Sequence, residues 1–268
     1  TRATPAPLGG VGVVAAASSR VFPLAPGGGA GKPSPSPPRP TPPAPNFACY
    51  PGKKKKHFLG GGSATRRLAD HGLSDDATRF ISEHPRPMRA NWLSQQKMAR
   101  WLDEIEDVDG SDRVVQNMNS EINGPDANYD FDQLQGAMGR LFEPKAAANY
   151  QRNVKDIREL DHERAGAVRQ NGERKPIEVD MISEDGDLIE TKSSSKFQSI
   201  DTSDGRYDDL DAKLERFQKY KRSEGYDGNL GVVFRVQPSD DVYDLLTSKY
   251  DANCWVTTQD GGIVPCKR

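Results

Sequence analysis

Between Pro176 and Lys192 two short runs alternate apolar and polar residues, with Glu184-Asp185-Gly186-Asp187 between them. Period-2 alternation is the pattern of a half-buried strand, because successive side chains point to opposite faces. An Asp-Gly step between two such runs predicts a hairpin turn. The first strand is expected over 176–182 and the second over 188–192. Within the second, Glu190 and Lys192 share a face, and Ile189 and Thr191 point the other way. Pairing across Asp185-Gly186 brings Asp180 beside Glu190. Two converging carboxylates repel unless a divalent cation lies between them, and Mg2+ or Mn2+ suits their hard oxygens.

The segments Glu178-Val-Asp180 and Ile189-Glu190-Thr-Lys192 resemble the signature of the PD-(D/E)xK nucleases, the restriction-endonuclease-like superfamily. The Pro of the nominal motif is displaced, since 177–179 separate Pro176 from Asp180. The resemblance implies that Asp180 and Glu190 are metal ligands for Mg2+ or Mn2+. It makes Lys192 the catalytic cation that orients water and stabilises charge on the phosphate. A plain surface hairpin with ordinary ion pairs is the competing reading.

The same resemblance expects a helix before the hairpin, often with another Glu, and a helix then a strand after it. The stretch 136–150 supplies the first helix, with Met138, Leu141 and Phe142 grouped and Ala146 to Ala148 as strong helix formers. Pro144 is expected to start its main segment. Glu143 resembles the family's helix acid, with Glu159 and Glu163 as rivals, and a salt bridge or a helix-terminal charge as its plain alternative. After the hairpin, Leu210, Leu214 and Phe217 repeat at helical spacing over 207–222. Lys213, Arg216, Lys219, Lys221 and Arg222 make the rest of that helix basic, which suits phosphodiester backbones or simply solvent. Gln218 and Tyr220 are candidates to position phosphate or water. A buried strand is expected over 229–236 and an amphipathic helix over 240–250. The resemblance covers roughly 130–250 and implies an α/β fold, a restriction-endonuclease-like core in which a mixed sheet is flanked by helices.

Residues 1–45 are rich in Pro, Gly, Ala and Ser, a composition that cannot bury a core. The expected organisation is a disordered Pro/Gly-rich leader over 1–56, a small helical subdomain over 57–125 and the nuclease-like domain over 126–268. The apolar run 8–17 is too short to span a bilayer and reads as linker or docking segment. Lys53 to Lys56 contact nucleic acid or solvent. Within the helical part, Leu68, Leu73, Phe80, Ile81, Trp92, Leu93, Met98, Trp101, Leu102 and Ile105 read as core.

A net charge of −2 with a pI near 6.1 argues against a general electrostatic binder of nucleic acid. Local positive charge is expected from Arg152, Lys155, Arg158, Arg164, Arg169, Arg174 and Lys175. Cys49, Cys254 and Cys266 lack the C-x-x-C spacing of a zinc site. Cys254 and Cys266 bracket a candidate hairpin turn at Asp260-Gly261 and form either a disulfide or a reduced pair. His57, His71, His84 and His162 have no recognisable nucleophile partner.

The expected activity is divalent-metal-dependent phosphodiester hydrolysis, on DNA first and on RNA as the alternative, with a non-catalytic module of a secretion apparatus as the rival class. A Thr at position 1 reads as the start of a fragment or cleavage product. Leader followed by nuclease-like module resembles the ends of polymorphic bacterial toxins. That layout implies injection into a target-cell cytoplasm, a cognate immunity protein and a larger carrier.

Overall fold

The computed structural model describes residues 63–83, 91–122, 131–170 and 173–268. The leader, the Lys53–Lys56 run, Cys49, His57 and His84 lie outside them. Four helices come first: α1 (Ala64–Asp70), α2 (Asp75–Glu83), α3 (Gln95–Ile105) and α4 (Ser111–Ile122). Ser63 and Ser94 cap α1 and α3, their hydroxyls accepting the N–H of Arg66 and Lys97. The ten apolar residues read as core in this region are all buried.

The long helix α5 (Phe131–Asn153) leads into β1 (Ile157–Gln170), β2 (Glu173–Ser183) and β3 (Leu188–Lys192). Pro144 lies inside α5 and does not start it. Proline removes one helical hydrogen bond and costs about 3 kcal/mol in an exposed helix. Leu141, Phe142, Ala146, Ala147, Ala148 and Tyr150 are buried on both sides of it. At roughly 1.5–3 kcal/mol for each large apolar side chain, that burial outweighs the missing bond.

Helix α6 (Gly205–Glu224), strand β4 (Leu230–Phe234), the short helix α7 (Asp240–Asp244), β5 (Asn253–Thr257) and β6 (Ile263–Pro265) complete the chain. Asp204 caps α6 and Gly225 ends it at φ +72°. The expected helix over 240–250 begins as α7 but passes into a π-helical turn, Leu245–Lys249.

The six strands form one mixed sheet in the order β1-β2-β3-β4-β5-β6. The pairs β3/β4 and β4/β5 are parallel and the other three antiparallel. The parallel pairs need crossovers, which α6 and the α7 segment provide. Alternation along the strands divides the core in two. Met181, Ile189, Val233 and Ile263 join the apolar cluster of α1 to α5. Ile182, Leu188, Val232 and Phe234 join that of α6 and α7. Helices therefore cover both faces of the sheet, as buried parallel strands require. Gly231 permits a close approach in β4, where a Cβ would stand 2.5 Å from the Trp255 ring. The β5–β6 hairpin turns at Gly261, φ +91°, and is closed by a Cys254–Cys266 disulfide. No helix among the described residues is long and apolar enough to cross a membrane.

Candidate active site

The β2–β3 hairpin turns at Gly186, φ +81°, and pairs Met181 with Ile189 and Ile182 with Leu188. Buried Asp187 fastens the turn by accepting the Asn229 N–H (2.6 Å) and pairing with Lys155 (2.7 Å). The ladder stops one step before Asp180 and Glu190. There the Asp180 side chain takes over: its Oδ2 accepts both the backbone N–H (2.6 Å) and the hydroxyl (2.7 Å) of Thr191. The strands thus open where the sequence places its acidic residues.

Glu190 is 4% exposed, and two lysines meet its carboxylate. Lys192 Nζ lies 2.5 Å from Oε1, as the shared face of the strand requires. Lys213 Nζ, from α6, lies 3.2 Å from Oε2 and 4.0 Å from Glu178. The Lys213 contact is an ion pair without hydrogen-bond alignment, so Oε2 is buried with no hydrogen bond of its own. Burial pushes the Glu190 carboxyl up, but Lys192 and Lys213 outweigh it and hold the pKa below its ordinary value. Burial would lower the Lys192 ammonium, and Glu190 and Asp180 more than reverse that.

Asp180 and Glu143 line one crevice with Pro144, Ala147, Met181, Thr191, Leu160, Ile105 and Val114. Helix α5 thus brings Glu143 toward the hairpin, and Arg140 one turn away pairs with it at 3.1 Å. Burial, then the charge of Glu190, raises the Asp180 pKa to about 6, with Lys213, Lys192 and Thr191 opposing. Burial, then Asp180, raises Glu143 well above the carboxylate range. Asp180 and Glu143 are therefore acids whose negative charge is incompletely compensated, whereas Glu190 has two cations.

This donor set fits a hard divalent cation. It offers buried carboxylate oxygens, one of them without a hydrogen bond, and two acids whose ionisation a positive charge would favour. The three acids do not form a closed ligand cluster in this conformation. Glu190 leans to its lysines and Glu143 to Arg140. Among the described residues, the group of three whose ligand atoms lie within 4.8 Å of one another is His71, Asp103 and Glu106. Asp103 there is already paired with Arg67 and His71, so the cluster ties α1 to α3.

Of the rival acids, Glu159 accepts from Arg113 (3.1 Å) and His162 (2.8 Å), and Glu163 is exposed on β1 opposite Glu178. Tyr220 is buried and bonds His162 Nε2 at 2.8 Å, while Gln218 is half-buried. Much of the positive charge expected before the hairpin is engaged: Arg152 with Glu104, Lys155 with Asp185 and Asp187, Arg164 with Glu224, Lys175 with Glu173. Lys213 and Arg140 were not singled out as site residues by sequence. The i,i+3 spacing of Arg140 and Glu143 carried a signal for one, but nothing distinguished Lys213 from its basic neighbours on α6. Neither protein-family models, nor curated proteins, nor solved structures match this chain.

Proposed function

We propose that this protein is a divalent-metal-dependent nuclease with a restriction-endonuclease-like core, hydrolysing phosphodiester bonds of DNA. The reading is carried by the opening of the β2–β3 hairpin, where Asp180 turns to Thr191, Glu190 pairs with Lys192 on the adjoining strand, and Glu143 shares a crevice with Asp180. The order α5, hairpin, α6, β4, α7 supports it, being the order that the resemblance to PD-(D/E)xK nucleases implies.

Asp180 and Glu190 would hold Mg2+ or Mn2+, with Glu143 near enough to bear on the charge of Asp180. The bound cation supplies Lewis-acid polarisation of the phosphate and a lowered pKa for water. Lys192, released from Glu190, donates to a phosphate oxygen and offsets the charge that develops there. Asp180 is positioned by its two bonds from Thr191, with Glu143 beside it in the same crevice.

The layout of a Pro-rich leader followed by this module supports a toxin or effector secreted or injected into a target-cell cytoplasm, with a carrier and an immunity protein as partners. Incubation with supercoiled plasmid and with total RNA, in Mg2+ or EDTA, tests the function. Mg2+-dependent loss of plasmid that disappears in Asp180→Ala is expected. RNA loss alone would move the activity to ribonuclease, and loss of neither would leave a binding module.

A further inference from the structure

Lys145 is a buried cation with no acid beside it among the described residues. It lies on α5 with 3% exposure, and its Nζ donates to Thr257 Oγ1 at 3.1 Å. Its other neighbours are aromatic faces, Trp92 at 5.4 Å and Phe142 at 5.9 Å from the ring centroids. One hydroxyl and two rings compensate an ammonium poorly, since it carries three donors and a charge that is costly to desolvate.

The surroundings add to that cost. Arg235, just past β4, donates its backbone N–H to Lys192 O (2.9 Å) and its Nε to Ser193 O (2.5 Å). Lys97, on α3, donates to Asn91 O at 3.3 Å. Burial first, then Arg235 and Lys97, lower the Lys145 ammonium to about 8. Burial lowers Arg235 as well. The hydrogen bonds of all three cations go to neutral oxygens among the described residues. Phe234 pairs with Val256, so Arg235 stands level with Thr257, the acceptor of Lys145. Two cations at one strand end repel each other, and an oxyanion between them would reverse the sign of that interaction.

We infer that Lys145, Arg235 and Thr257 form a phosphate-binding site beside the C-terminal end of β3, distinct from the acidic centre at Asp180 and Glu190. The chemistry suits a tetrahedral oxyanion, with a guanidinium fork, an ammonium and a hydroxyl as donors. Its place follows from register: Lys192 pairs with Phe234, and Arg235 is tied to the two residues that end β3. A nucleic-acid strand crossing the C-terminal ends of β3 and β4 would bring one phosphate to Lys192 on the α6 face and another to Arg235 and Lys145 on the α5 face. That assignment of the phosphate to substrate rests on the nuclease reading, whereas the site itself does not.

The test is a thermal melt in EDTA with sodium phosphate against sodium chloride of equal ionic strength, beside binding of a fluorescent DNA oligonucleotide in EDTA. Phosphate should raise the wild-type melting temperature above chloride. The shift should vanish in Lys145→Met, and Arg235→Gln should need about 10-fold more phosphate, the loss of one charged hydrogen bond. Both variants should bind the oligonucleotide about 10-fold or more weakly. A wild-type shift equal in phosphate and chloride, or an undiminished shift in Lys145→Met, overturns the site. Should Lys145→Met lack a cooperative melt, an undiminished phosphate shift in Arg235→Gln overturns it equally. A phosphate shift with oligonucleotide binding unchanged in both variants overturns the nucleic-acid assignment and leaves a site for free phosphate. Phosphate binding without plasmid cleavage would sink the nuclease reading alone.

Discussion

Replacing Asp180 with Asn should make the metal-free protein more stable at neutral pH. The Asp180 carboxyl has its pKa raised from 3.8 to about 6, by burial first and then by Glu190. A raised folded-state pKa means that the folded protein binds the proton more tightly than the unfolded chain. Stability is then fully present below about pH 3.8 and is lost as the pH rises through about 6. A shift of that size corresponds to roughly 3 kcal/mol, at about 1.4 kcal/mol per pKa unit. Asn keeps the shape and one acceptor oxygen but weakens the two bonds from Thr191, returning about 1 kcal/mol. The net gain for Asp180→Asn is about 2 kcal/mol above pH 6, shrinking to zero or reversing near pH 4. Glu143, raised in part by Asp180, should move down in the same variant. Urea unfolding of both proteins in EDTA, from pH 4 to 8, measures this directly. A stability difference that does not change with pH, or one that grows in favour of the wild type as pH rises, would mean that ionised Asp180 carries no such cost.

Lys213→Met removes one of the two cations on Glu190 and should raise the Glu190 pKa, read by NMR titration of its side-chain carboxyl carbon. Because Lys192 remains, the stability loss should be about 1–3 kcal/mol and not the larger cost of a fully unpaired buried charge. Reduction of Cys254–Cys266, whose cysteines are 12 residues apart, should lower stability by about 3 kcal/mol on the chain-entropy view. Unfolding of a Cys254→Ala, Cys266→Ala double variant checks that figure, and an unchanged midpoint would contradict it.

Local pattern carried much of the architecture. Strand β3 lies where alternation put it, α6 within two residues of its expected limits, and β4 inside the expected buried run. These segments have one clear period and recognisable turn or cap residues. Strand β1 was not legible. Its sequence IRELDHERAGAVRQ is heavily charged, and register shifts between Ile157 and Glu159 and between Arg164 and Val168 reset the alternation. Pro144 misled for a different reason, since tertiary burial around it overrode its local preference. At the site, the shared face of Glu190 and Lys192 followed from strand geometry alone. Which helix acid faces Asp180, and that Lys213 reaches Glu190, depend on how α5 and α6 lie against the sheet. Such contacts join residues far apart in the chain, where periodicity has no voice.

The proposed nuclease activity requires Asp180 and Glu190 to hold a divalent cation. Titration of the metal-free protein with Mn2+, counting free ion by electron paramagnetic resonance, tests it most directly. Saturable binding by the wild type is expected, lost in Asp180→Ala and Glu190→Gln while both variants remain folded. Equal Mn2+ binding by wild type and variants, or none by the wild type, would contradict it.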